Sequence, residues 1–247
     1  MKQLLIYENI KPLTQRDHGE MSLKRTNDVS FARETNAIPL VGSEFLPASE
    51  EYPIVFTRTN EGVVPTAIVG IRDRENAFVT ADGKWDARYI PAFVRRYPFV
   101  FGTDEKAETF TLMIDEAYPG LNKDGEGEKL FDGEGKLGPF VQQTVDFLKE
   151  YQMMYVRTRE FGDRLDKLGL LDPVEVKTPL PNDPERKING FFLVNREKLK
   201  ALKGEQLETL LKNDELELIF MQMISLRNID KVVERVVKAE TPAAANA

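Results

Sequence analysis

Three arginines, Arg88, Arg95 and Arg96, are interleaved with Trp85, Tyr89, Phe93, Tyr97 and Phe99 in one short stretch. A guanidinium is a planar fork that pairs with carboxylates or phosphates, and its flat face stacks on aromatic rings. The stretch therefore reads in two ways. In the first, Trp85, Arg88, Tyr89, Arg95, Arg96 and Tyr97, with His18 nearby, line an anion-binding pocket that has an aromatic wall. In the second, ring stacking and Arg–carboxylate pairs merely hold the segment in place. Fifteen phenylalanines in the chain make aromatic packing the cheaper explanation.

The remaining chemistry is sparse. His18 is the only histidine, so any Ser–His or Thr–His pair must use it. Asp17 beside it orients it only if the backbone turns, and no Gly-x-Ser-x-Gly elbow supplies a strained nucleophile. A histidine bonded to backbone within a loop is the plainer expectation. With one histidine and no cysteine, a multi-histidine metal site, a thiolate nucleophile and a Cys-ligated zinc site are all excluded. Asn122, Asp124, Glu126, Gly127 and Glu128 imitate the first half of an EF-hand loop. Gly133 then stands where the bidentate glutamate belongs, so a solvated turn is expected. No Walker loop is present and no Gly-x-Gly-x-x-Gly follows a strand; Gly125, Gly127, Gly133 and Gly135 are spaced for turns, and the acidic residues between them would repel a phosphate. No catalytic residue, metal or cofactor is assigned, and a binding role is favoured over an enzymatic one.

These residues must be positioned by two unlike halves. Before Leu121, short apolar runs alternate with turn residues. Tyr52–Thr57, Thr66–Ile71, Ala77–Thr80, Phe99–Phe101 and Thr109–Ile114 read as strands, with Thr59–Gly62 and the Asp82-Gly83 pair as turns. Residues 121–138, rich in Gly and charge, read as an exposed loop. After it the period becomes helical. Pro139 opens a helix carrying Phe140, Phe147, Leu148, Tyr151, Met154, Tyr155, Phe161 and Leu165, with Gly169 as its C-terminal cap. Asp172–Pro184, with four prolines, reads as an extended connection. Gly190–Val194 reads as a strand, and Asn195 and Asp214 as helix caps. The expected fold is α+β. A β-rich antiparallel N-terminal part (1–138, a sheet or small barrel) packs with a mainly helical C-terminal part (139–240), followed by a frayed tail (241–247).

In the helix from Glu215 to Leu226, the stripe Leu216, Ile219, Phe220, Met223 and Ile224 is apolar. Leu218 and Met221 widen it, leaving Gln222 and Ser225 for solvent. Complete internal coverage is the expectation; the surplus also suits a homodimer or a protein partner on the C-terminal helices.

Composition narrows the classes further. The chain has 247 residues, 41% of them hydrophobic and 30% charged, with a formal net charge of −7. That length buries a real core, and an acidic balance argues against nucleic acid as partner. The N-terminal apolar run is too short for a signal peptide and no stretch is long enough to span a membrane, so a cytoplasmic protein is expected.

Several strings resemble the SapC family. Asn36–Phe45 and Glu51–Phe56 are similar to its opening, Trp85–Phe99 to its central block and Leu130–Gly135 to the turn that follows. The Gly190 strand and the helix ending Ile224-Ser225-Leu226 are similar to its C-terminal part, and His18 stands where members tend to carry a histidine. The resemblance implies a bacterial protein associated with surface-protein export or assembly, and it brings no catalytic residues with it.

Overall fold

The change of period near Pro139 marks a real change of architecture. The computed structural model describes residues 5–104 and 109–240; the tail expected to fray lies outside the described residues. Short strands β1 (Ile10–Pro12) and β2 (Ser22–Leu23) flank one helical turn, α1 (Gln15–His18). Next come β3 (Ala37–Pro39), α2 (Phe45–Glu51), β4 (Ile54–Thr59) and β5 (Gly62–Ile68). After a second single turn, α3 (Ala92–Arg95), come β6 (Phe99–Asp104), β7 (Thr109–Asp115), β8 (Leu121–Asn122) and β9 (Glu128–Lys129). The long helix α4 (Pro139–Lys167) leads to β10 (Leu171–Lys177), β11 (Lys187–Val194) and four helices: α5 (Arg196–Ala201), α6 (Glu205–Lys212), α7 (Glu215–Ser225) and α8 (Ile229–Glu240). The fold is α+β, with antiparallel sheets concentrated in the first half and helices in the second.

The main sheet runs β10-β11-β4-β5-β3, antiparallel throughout. Its centre is the β4–β5 hairpin, closed by the two residues between Thr59 and Gly62, which pair. On one face Ile54, Phe56, Val63 and Ala67 meet Phe45, Phe161 and Leu165. On the other, Val55, Ile68 and Phe191 form a smaller cluster. The second core lies between the β1-β7-β6 and β8-β2-β9 sheets. It gathers Leu23, Phe99, Ile114, Leu130 and Phe131 against Val141 and Leu148 of α4. Phe161 and Leu165 join the main core further along the same helix.

Helix α4 presses closely on the hairpin. A Cβ at Gly162 would stand 2.2 Å from the Val63 carbonyl oxygen, so only glycine fits there. Its end is a Schellman motif: Gly169 N–H donates to Asp166 O, Leu170 N–H donates to Leu165 O, and Gly169 takes φ +67°.

The structure corrects several expectations. Ala77–Thr80 is a turn closed by one bridge, Val79 to Trp85, and not a strand. Residues 121–138 are not simply exposed. β8 and β9 both pair with β2, and Leu130 and Phe131 are buried. The acidic side chains Glu126 and Glu134 there face Lys24 and Lys136. Within the expected connection, Leu171–Lys177 is a strand; it is an edge strand, where Pro173 is tolerated. Opposite Glu175, β11 carries an extra residue at Gly190, φ +85°, which makes a bulge. Asp214 makes no side-chain cap and sits at φ +59°.

Helix α7 is rotated from the expectation: Ile219 is buried as expected, but Leu216 and Met223 are half-buried and the rest of the stripe is exposed. Gln222 and Ser225 are buried, whereas Phe220 and Ile224 are 47% and 56% exposed. The reason is backbone satisfaction. Ile54 N–H donates to Ser225 Oγ at 2.9 Å, and Gln222 Nε2 donates to Ile54 O at 3.2 Å. These amides lie at the start of a central strand, where an unpaired group would be costly. Among the described residues, no helix is long and apolar enough to cross a membrane.

Candidate functional site

A helix of one turn cannot hold its own orientation, so α3, which carries Arg95 and leads into Arg96, must be fixed from outside. Glu44, buried immediately before α2, does this. Its Oε1 accepts Ala92 N–H at 2.6 Å and the Tyr89 hydroxyl at 2.7 Å, and its Oε2 accepts Val41 N–H at 2.9 Å. Three donors make a buried carboxylate tolerable without a salt bridge. On the far side of Tyr89, Trp85 Nε1 donates to the Tyr52 hydroxyl at 2.8 Å and stacks on Phe78. The Tyr52 hydroxyl in turn donates to Tyr89 O. Trp85 and Tyr89 thus brace the segment.

The arginines are held by rings. Arg96 lies 4.2 Å from the ring centre of Phe93, 5.0 Å from that of Tyr151 and 5.7 Å from that of Tyr7. Its Nε is buried and donates to none of the described residues. Arg95 lies 5.3 Å from the Phe147 ring centre, and its Nε donates to Ile90 O at 2.9 Å. A third arginine arrives from the chain after β2: Arg25, 5.3 Å from the ring centre of Phe140. Of the two supports expected for the block, stacking is present. Carboxylate pairing is absent: among the described residues none of the three guanidiniums forms an ion pair.

These three arginines line one cleft of about 310 Å³, together with Thr26, Tyr97, Phe99, Tyr118 and the α4 residues Phe140, Gln143, Thr144 and Phe147. Among the described residues no aspartate or glutamate lines it. Past Arg95 and Tyr97 a neighbouring hollow of about 430 Å³ is lined by Trp85, Lys84 and Asp28. A larger one, about 530 Å³, lies on the Tyr151 side of Arg96, but there Glu61 balances the charge. The cleft thus differs from both neighbouring hollows, each of which has a carboxylate in its wall.

Phenols surround the arginines. Burial pushes the Tyr7 hydroxyl up to about 12, with Arg96 opposing part of the shift. Burial likewise raises Tyr89, with the Glu44 charge adding to it, and raises Tyr97 and Tyr151. All four stay protonated at neutral pH, so they offer ring faces and donors rather than a base.

Comparison with known proteins places this arrangement. The model of the SapC family matches residues 13–232. The chain belongs to the SapC family. No curated protein and no solved structure matches it. The matched SapC span includes every residue of the acid-free cleft, from Leu23 to Phe147.

Two residues singled out from the sequence do not join the cleft. His18, buried in α1, accepts Thr14 N–H at Nδ1 (3.3 Å), so its proton sits on Nε2, which faces Glu116 Oε1 at 3.4 Å. It packs beside the end of β7 and does not line the cleft. Arg88 is exposed and lines none of the three hollows. Conversely, Arg25, Glu44, Gln143 and Thr144 escaped the sequence reading. Phe140, Thr144 and Phe147 recur at i, i+4 and i+7, which would have marked one face of α4. Nothing local to Arg25 announces its arrival from a distant strand.

Proposed function

We propose that this SapC-family chain is a binding protein rather than an enzyme. Its ligand is a small organic anion, held in the cleft by Arg25, Arg95 and Arg96. In this reading it is an accessory component of the surface-protein export or assembly to which the family name refers. One observation carries the binding step: three guanidiniums without ion pairs line a cleft with no carboxylate among the described residues, in a chain of net charge −7. Like charges brought together in a partly desolvated hollow repel, and an anion relieves that cost. The volume falls at the small end of the ligand-pocket range of roughly 300–1,000 Å³. Aromatic walls and a few polar groups such as Gln143 and Thr144 match the composition of such sites. The raised phenols argue for binding over proton transfer.

The test is thermal unfolding with a panel of small organic anions and their uncharged analogues. Anions should raise the melting temperature while the analogues do not, and Arg96→Met should remove the difference. Equal stabilisation of the wild type and the Arg96→Met variant by every anion would refute the reading.

A further inference from the structure

Two of the three guanidiniums lie near different rings of α4. Arg25 stacks near Phe140 and Arg95 near Phe147, each 5.3 Å from its ring centre. Phe140 and Phe147 stand two turns apart on α4, which at 1.5 Å per residue separates them by about 10 Å. Gln143 and Thr144 lie on the same face between them and line the cleft floor. A single carboxylate presents two oxygens on one carbon. Its two oxygens fill one guanidinium fork, so a lone carboxylate on the arginine at one ring leaves the arginine at the other unanswered.

Resting on the anion-binding reading, we propose that the ligand has two acidic heads: a small dianion lying along α4, with one head on Arg25 and the other on Arg95. Arg25 donates no hydrogen bond to the described residues, and Arg95 uses its Nε on Ile90 O and its Nη2 on the Tyr89 hydroxyl at 3.5 Å. Its Nη1 is left for a ligand. Arg96, with its buried unpaired Nε, adds the third cation that favours two negative charges over one. With Arg25 at one ring and Arg95 at another two turns along α4, a linear diacid of intermediate length suits the site better than the shortest. Gln143 then faces the neutral middle of the molecule. Carboxylate–carboxylate and phosphate–carboxylate ligands share this chemistry.

Isothermal titration calorimetry on the full chain tests it. The probes are linear dicarboxylates from malonate to suberate, the monocarboxylate of matching length for each, and phosphoglycolate. Affinity should peak between succinate and adipate and exceed that of the matching monoacid by at least about tenfold. Arg25→Gln should bring the diacid down to the monoacid level and leave the monoacid unchanged. Phosphoglycolate outdoing succinate, with the same dependence on Arg25, would also support the two-headed ligand and assign one head to phosphate. Diacid and monoacid binding alike would overturn this inference while anion binding stands. Failure of every probe to bind folded protein, checked by circular dichroism, would overturn both.

Discussion

Near the C-terminal end of α4, Arg164 is answered by Glu215; near its N-terminal end, Arg25, Arg95 and Arg96 have no carboxylate among the described residues to answer them. Arg164 Nε lies 3.1 and 2.9 Å from the two Glu215 oxygens, and the Glu215 side chain is only 7% exposed. Beside that pair, Arg157, Glu160, Asp214 and Glu217 mix both signs in one hollow. The same helix thus borders a region whose charges cancel internally and one whose charges do not. A pair that cancels serves the fold, since removing either partner strands the other in a poor dielectric. A cluster of one sign serves the fold badly and is best understood through what it can hold.

The sharpest way to break this contrast is Arg164→Met. Stranding Glu215 should cost about 2–3 kcal/mol in urea unfolding. The cost should depend on pH. Burial raises the Glu215 carboxyl above its ordinary value, with Arg164 opposing. A raised carboxyl favours the fold in acid, below its unfolded value, and loses that contribution as pH rises through the folded value. Without Arg164 the rise is larger, so the deficit should be greater at pH 7 than at pH 4. An equal deficit at both would mean that the pair is merely adjacent.

A middle-sized effect is expected from Glu44→Gln. It keeps the shape but sets an amide N–H₂ against one of three donors, costing about 1–2 kcal/mol. Because Glu44 fixes Ala92 and Tyr89, anion binding should weaken as well, although Glu44 does not line the cleft. Unchanged binding would detach α3's anchoring from the site.

The smallest effect belongs to Arg96→Met without ligand. Lost ring contacts and relieved repulsion oppose each other, so stability should stay within about 0.5 kcal/mol. Added chloride, which screens the three like charges, should stabilise the wild type more than this variant. A loss of 1–3 kcal/mol would return the arginines to a purely structural role.

What the sequence disclosed follows physical range. Periodicity is local, so α4, its Pro139 start and its Gly169 end were legible, as were the β4–β5 hairpin and the stacking of Arg95 and Arg96. Pairing partners are not local. Nothing near Pro173 showed that its strand would be an edge, and nothing near Gln222 and Ser225 showed that Ile54 would need their polar atoms. The cleft divides on the same line. Arg95, Arg96 and Tyr97 came from one contiguous block, whereas Arg25 and the Phe140–Phe147 face came from elements brought together by the fold.

Helix α4 also bears on how the protein comes apart. Its 29 residues rise about 43 Å in all, with Val141 and Leu148 in one core and Phe161 and Leu165 in the other. A continuous helix cannot surrender half its packing without exposing the seam at Phe147 and Tyr151, where the arginines sit. The two cores are therefore coupled through a shared beam, and slow amide exchange in β6–β7 and β4–β5 should collapse together, in one cooperative opening.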